Sequence, residues 1–342
     1  MSELEVLKTR NIWRFATGAR QKIIEYLPGI SFCLLLVLGS SYISDHYGTS
    51  KILGALLLGM AFQAISQYPE FSPGLDFCAK TVLRAGVAIL GIRITFSQMA
   101  ELGVAPLILV STVVSGTIIF SIILAGLFRI DRIRGIISGA AVGICGVSAA
   151  LAVASVLPNN KAIEKHLLCT VVAVTGISTI CMILYPGLLT SMGMTPEQMG
   201  LFIGASIHDV VQVFGAGEMI SPDVAELATY TKMLRIAFLV PTVVILALIY
   251  HKPEAKVGGF RRVVPPFLIA FVGFVILANA QALPQEGTVM LGDISQLCLW
   301  MAMAALGTKT NLVELWRIGG KPLLLIIINT LFIAAMSLLM II

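Results

Sequence analysis

The stretch LRAGVAILGIRITFS, residues 83–97, is echoed 216 positions later by LWMAMAALGTKTNLV, residues 299–313. Over the longer pair of segments, 83–108 and 299–324, identities fall at Leu83/Leu299, Ala88/Ala304, Leu90/Leu306, Gly91/Gly307, Gly103/Gly319, Pro106/Pro322 and Leu107/Leu323. A basic residue, Arg93 or Lys309, follows the first shared glycine by two places. Internal duplication in a polytopic membrane chain marks a transporter built from two related halves. The alternative is chance likeness between two Leu/Ala/Gly-rich helices, but shared Gly, Gly and Pro at fixed offsets are harder to obtain by chance than shared leucines.

Composition places the repeat in a bilayer. The 342 residues are 58% hydrophobic and 12% charged, against about 25% charged for an ordinary soluble domain. A soluble fold of this size has no core large enough for that apolar surface. The net charge of +5 is scattered between apolar runs, with no basic patch interleaved with aromatics, which argues against nucleic acid. Six cysteines (Cys33, Cys78, Cys145, Cys169, Cys181, Cys298) form no CxxC and read as small packing residues. Residues 1–27 read as a basic amphipathic cytoplasmic segment without a signal peptide, with Trp13 and Phe15 beside Arg14 suited to a membrane surface; residues 28–342 read as the transmembrane transporter domain.

A bilayer needs about 20 apolar residues per helix. Spans are expected near 28–45, 51–68, 80–93, 104–128, 136–157, 166–190, 199–217, 224–250, 264–282, 290–307 and 322–342, eleven in all. With that count, four basic segments fall on one side: Lys8 to Lys22, Arg129 to Arg134, Lys252 to Arg262, and Lys309 to Lys321. The positive-inside rule makes that side cytoplasmic, with the N-terminus in and the C-terminus out; Lys161 and Lys165 are the exception. The third and tenth spans then run in opposite directions, and the repeat is inverted. Inverted repeats let a fold open to each face in turn around one midplane site. The expected fold is therefore all-α and polytopic, with about eleven transmembrane helices.

Two segments concentrate the chemistry. In SGAAVGICGVSAALA, residues 138–152, Gly139, Gly143 and Gly146 weaken a helix. A break between Gly143 and Gly146 would open a new helix at Gly146, Val147 and Ser148, next to Cys145. Its N–H groups and positive dipole end suit an anion, with the Ser148 hydroxyl as a further donor. The competing explanation is close helix packing through small residues. In GASIHDVVQVFGAG, residues 204–217, His208, Asp209 and Gln212 interrupt an apolar span. Polar and ionisable groups at that depth mark a pathway or relay unless they are a structural ion pair. His208 and Gln212, four apart, are expected to share a helix face, away from Asp209. Protonated His208 would bind an anion or carry a coupling proton, and Asp209 would hold Na⁺ or a proton or pair with a base. Basic partners lie at Lys80 and Arg84 in the third span and at Lys232 and Arg235 in the eighth. Snorkelling explains Arg93 and Lys309.

Other chemistries are absent: no HExxH, GxSxG, Walker A loop or dinucleotide fingerprint, and no Cys/His spacing for a metal. Any pumping must draw on an ion gradient.

These residues resemble the YeiH-type sulfate exporter family of bacterial inner-membrane proteins, from about residue 28 to 342. The resemblance rests on residues 83–97, the glycines around Gly143-Ile-Cys-Gly146, His208-Asp-Val-Val-Gln-Val213, Thr231-Lys-Met-Leu-Arg235 and Met301-Ala-Met-Ala-Ala-Leu-Gly307. It implies kinship with the sodium/proton antiporter and bile-acid symporter superfamily: a scaffold domain, a mobile core domain and two broken helices crossing at mid-membrane. The glycine and His208 segments are the natural crossing pair, although the repeat relates the third span to the tenth.

The expected function is gradient-coupled transport of a small anion, sulfate or a related sulfur oxoanion or sulfonate, outward, by an elevator-like movement. Substrate would meet Gly143, Cys145, Gly146, Val147, Ser148, Arg84, His208 and Gln212. His208, Asp209, Lys232 and Arg235 would serve coupling, the last two balancing Asp209. No cofactor is expected beyond a coupling Na⁺ or H⁺. The expected partners are the anion and the lipid bilayer, with a homodimer allowed. The alternatives are a passive anion channel and a membrane-embedded enzyme using His208 and Asp209 as acid and base.

Overall fold

A computed structural model describes residues 3–158, 160–250, 265–280, 283–310 and 320–342, with the side chains of 3–23, 98 and 99 outside the description. Lys252, Lys256, Arg261, Arg262, Arg317 and Gly319, and the side chains of Trp13, Arg14 and Phe15, therefore lie outside the described residues.

Among the described residues the regular structure is helical throughout. The chain starts with α1 (Glu3–Tyr47) and α2 (Lys51–Ala61), followed by a 3-10 turn at Gln63–Gln67. The third expected span is divided among α3 (Ser72–Phe77), a π-turn (Cys78–Val82), α4 (Leu83–Leu90) and a 3-10 turn (Gly91–Arg93). Next come α5 (Phe96–Leu102) and α6 (Ala105–Leu127). The helix after that is interrupted: α7 (Arg132–Ala140) ends in a π-turn (Ala141–Cys145), and α8 (Val147–Val156) starts afresh. Beyond α9 (Lys161–Ser191) a second interruption separates α10 (Pro196–Ser206) from α11 (Val210–Glu218). The remaining helices are α12 (Pro222–Ala237), α13 (Leu239–Tyr250), α14 (Pro266–Asn279), α15 (Gln285–Lys309) and α16 (Gly320–Ile341).

Among the described residues, six helical stretches are long and apolar enough to cross a membrane: Ile24–Tyr47, Ala105–Leu127, Lys161–Ser191, Pro222–Tyr250, Gln285–Lys309 and Gly320–Ile341. The other expected spans are also helical, but short or divided. This is an all-α polytopic membrane protein.

Local chemistry sets the helix starts. Asp131 caps α7 by accepting from Ile133 N, and Asn160 caps α9 through Ile163 N at 3.0 Å. Thr195 and Gln198 form a capping box on α10, with Pro196 in its first turn. Each device satisfies N–H groups that a helix leaves open.

The chain divides into two units, Met1–Arg84 with Leu297–Lys309, and Ala85–Gln296 with Thr310–Ile342. In the first, Gly307 leaves no room for a Cβ against Gly59, and Lys309 and Lys80 both pair with Asp76, the latter at 3.5 Å. In the second, Gly91 lies against the Phe271 backbone, and Arg93 pairs with Glu226 at 3.7 Å. Both repeated glycines thus serve close approach of a neighbouring backbone. Both following cations have acidic partners, in place of the expected snorkelling. The copies differ locally: Leu83–Leu90 is a short helix between π and 3-10 turns, whereas 299–309 runs unbroken within α15.

The second unit has a polar pin. Ser121 on α6 donates to Gly135 O at 2.8 Å and accepts from Asn329 Nδ2 of α16 at 3.0 Å. Gly135 and Gly139 face Ser121 closely, so α6 and α7 pack backbone to backbone.

Candidate functional site

The first break lies where the glycines put it. Gly146 sits at φ +62°, ψ −123°, a conformation that strains any residue with a Cβ. Its N–H donates to Ala141 O at 2.8 Å, closing the π-turn, and its own carbonyl accepts from Ala150 N at 3.1 Å. The N–H groups of Val147, Ser148 and Ala149 have no carbonyl partner within α8. Ser148 is exposed and Val147 half-buried. The Ser148 hydroxyl turns back on its own turn, donating to Cys145 O at 3.2 Å and lying 2.7 Å from Cys145 Sγ.

The second break runs through Ile207, His208 and Asp209. Ile207 is extended (φ −70°, ψ 144°), and Asp209 caps α11 by accepting from Val211 N at 3.0 Å. His208 therefore precedes α11, and the expected helix face shared with Gln212 does not form. The backbone turns in between, and the two side chains take different partners. His208 Nε2 is 2.9 Å from Thr330 Oγ1 on α16, while Gln212 donates to Thr179 Oγ1 on α9 at 2.7 Å.

The two breaks meet. A Cβ built on Gly146 would lie 3.7 Å from His208 O and 3.8 Å from His208 Cβ. Beneath them, α12 supplies two fully buried cations, Lys232 and Arg235. Lys232 Nζ donates to Ile144 O at 2.8 Å and Ile207 O at 2.9 Å. Arg235 donates to Val142 O at 2.8 Å, Gly143 O at 3.0 Å, Gly204 O at 3.0 Å and Ile207 O at 2.9 Å. These carbonyls end the half-helices that precede the breaks, where orphan acceptors and negative dipole ends gather. The cations satisfy the carbonyls, and the carbonyls make their burial tolerable. Their donors thus go to backbone; no ion pair among the described residues joins either one to Asp209.

The ends are therefore unlike. The carbonyl ends at Val142–Cys145 and Gly204–Ile207 are buried, whereas Val147, Ser148, Asp209 and Val210, which open the following half-helices, are half-buried or exposed. Two polar atoms in this region are buried without a hydrogen-bond partner, His208 Nδ1 and Gln212 Oε1.

Ten of the sequence-derived site residues surround the paired breaks: Gly143, Cys145, Gly146, Val147, Ser148, His208, Asp209, Gln212, Lys232 and Arg235. Arg84 is exposed and belongs to the first unit. Sequence reasoning missed the hydroxyls of α9 and α16. Ser178 Oγ accepts from His208 N and Asp209 N, each at 3.3 Å, and Thr179 and Thr330 hold Gln212 and His208. The signal was the Thr175-Gly-Ile-Ser-Thr179 run, whose hydroxyls fall three and four apart in an apolar helix.

A separate cavity of about 280 Å³ is lined in part by Glu101, Glu197, Asp223 and Glu226. Its carboxylates repel an anion. Among the described residues no group of three or more His, Cys, Asp or Glu side chains is placed to hold a metal.

Residues 28–326 match the family described as conserved hypothetical protein 698. The chain is 40% identical to the UPF0324 membrane protein CT0845 of Chlorobaculum tepidum, over 94% of this chain and 90% of that protein. It is 37% identical to the UPF0324 membrane protein TauZ of Paracoccus pantotrophus, over 92% and 95%. With the UPF0324 inner membrane protein YeiH of Escherichia coli K12 it shares 32% identity over 93% and 91%. The chain belongs to the UPF0324 family of membrane proteins.

Proposed function

We propose that this protein is a secondary transporter of a small anion, sulfate or a related sulfur oxoanion or sulfonate, residing in a bacterial inner membrane with its N-terminus in the cytoplasm. One observation carries the reading: two interrupted helices meet at Gly146 and His208, with carbonyls of their preceding halves bonded by buried cations and with residues that open the following halves, Val147, Ser148, Asp209 and Val210, half-buried or exposed. Half-helix N-termini at a break are suited to anionic groups. Lys232 and Arg235 add positive charge behind them, and Asp209, already on the α11 N-terminus, is the group an arriving anion would compete with.

His208 and Gln212 complete the site through the atoms their present partners leave unused. Movement of the second unit's helices, carrying the site from one face to the other, would export the anion against a gradient in the elevator manner. The protein is read as a carrier rather than an enzyme.

The test is uptake of radiolabelled sulfate into proteoliposomes, with and without imposed pH and Na⁺ gradients. Sulfite, thiosulfate and small alkyl sulfonates serve as competitors. Saturable, gradient-dependent flux with counterflow supports the carrier. Continuous current without counterflow would make it a channel, and neither flux nor competition for any of these anions would retire the reading.

A further inference from the structure

Half-helix carbonyl ends meeting at a break are where membrane carriers commonly hold a coupling Na⁺, which takes its ligands from unwound backbone. Here the same kind of cluster is already filled. Five carbonyls from two broken helices (Val142, Gly143, Ile144, Gly204 and Ile207) accept six hydrogen bonds from Lys232 and Arg235. Lys232 Nζ bridges one carbonyl of each broken helix, Ile144 and Ile207, at 2.8 and 2.9 Å, the position a shared cation would take. Both cations are fully buried, so water does not screen their repulsion of a further positive ion.

We infer that Lys232 and Arg235 are resident counter-cations, replacing a bound Na⁺ at the paired breaks with charge fixed to the protein. The consequence for coupling rests on the transporter reading proposed above: a carrier whose carbonyl site is so filled takes its anion without a co-bound Na⁺, leaving a proton or a counter-anion as the driving partner. The packing itself does not depend on that reading.

Loss of the Lys232 charge would recreate a metal site. Removing the Lys232 ammonium frees the Ile144 carbonyl and one lone pair of the Ile207 carbonyl, which still accepts from Arg235 Nη1, so Arg235 continues to hold the helix ends together. Two hard oxygen ligands, from two helices, then face a small gap that Na⁺ or Li⁺ fits and choline does not.

The experiment is the thermal unfolding midpoint of the purified full-length protein in detergent, titrated with NaCl, LiCl or choline chloride at constant ionic strength. Wild type is expected to give the same midpoint in all three salts. Lys232→Ala is expected to unfold at lower temperature in choline and to show a saturable upward shift of several degrees in Na⁺ or Li⁺. If Lys232→Ala does not fold, Lys232→Gln, which keeps bulk without charge, is measured in the same way. A saturable Na⁺-specific shift in wild type would overturn the inference, as would a folded Lys232 variant indifferent to all three cations. Because this readout involves no flux, its outcome is independent of whether sulfate is transported.

Discussion

Lys232 and Arg235, one helical turn apart on α12, share an acceptor: the Ile207 carbonyl lies 2.9 Å from Lys232 Nζ and 2.9 Å from Arg235 Nη1. That oxygen is the last helical-side acceptor before the His208 break, so two positive charges converge on the point where the second helix stops. The cost of burying those charges is offset only while both interrupted helices keep their carbonyls turned toward them.

Arg235 should therefore matter more to folding than Lys232. Arg235→Met leaves Val142, Gly143 and Gly204 without this partner, and a buried polar group stripped of its partner costs about 1–3 kcal/mol. Arg235→Lys should not rescue it, because one ammonium cannot reproduce a planar fork that reaches four carbonyls. Unfolding curves for the three proteins in the same detergent check this. Equal stability of Arg235→Met and wild type would contradict it.

Gly146 and Gly143 should respond differently to alanine. Gly146 holds a positive φ, and its Cβ would press on Val174 Cγ1 at 3.1 Å; strain of this kind costs about 1–3 kcal/mol. The Cβ of Gly143→Ala would meet Thr117 and Val114 at 3.4 Å, ordinary contact. The expected order of unfolding midpoints is wild type close to Gly143→Ala, with Gly146→Ala well below both.

His208→Ala should abolish anion flux while the protein remains inserted and folded, since the second break is also held by backbone bonds to Ser178. Thr330→Val removes the partner of His208 Nε2. A hydrogen bond worth about 1 kcal/mol implies roughly a fivefold weaker apparent affinity for the anion. Normal flux in a stably inserted His208→Ala protein would remove His208 from the site.

Asp209→Asn separates capping from charge. Asparagine still caps α11, so the unfolding midpoint should change little. If the carboxylate carries the coupling proton, sulfate uptake by this variant will no longer respond to an imposed pH gradient. Retained acceleration by the gradient would assign coupling elsewhere.

Much of this arrangement is legible in the sequence because membrane depth makes exceptions conspicuous. Three glycines within eight residues and a His-Asp pair inside an apolar run announce two interruptions. The fate of Lys232 and Arg235 was not legible: their partners are main-chain oxygens, which carry no residue identity, and the obvious side-chain partner, Asp209, is turned to Val211 N. Helical periodicity puts His208 and Gln212 on one face only where the helix continues past Ser206, and there it ends. Thr330 was hidden in an apolar helix, where a lone hydroxyl commonly bonds its own preceding turn, as it also does with Ile326 O. The echo between 83–108 and 299–324 led to two glycines that admit close backbones, at Phe271 and at Gly59, rather than to the site.

The central claim is that a small anion binds at the accessible N-terminal ends of the two half-helices. Ser148, exposed at the start of α8, reports on it directly. Ser148→Cys, in a background with the six native cysteines replaced and sulfate uptake retained, would be labelled with a membrane-impermeant thiol reagent across a titration of sulfate. The account predicts that labelling slows saturably, over the same concentration range in which unlabelled sulfate competes for uptake. Labelling that proceeds at one rate whatever the concentration of a transported anion would contradict it.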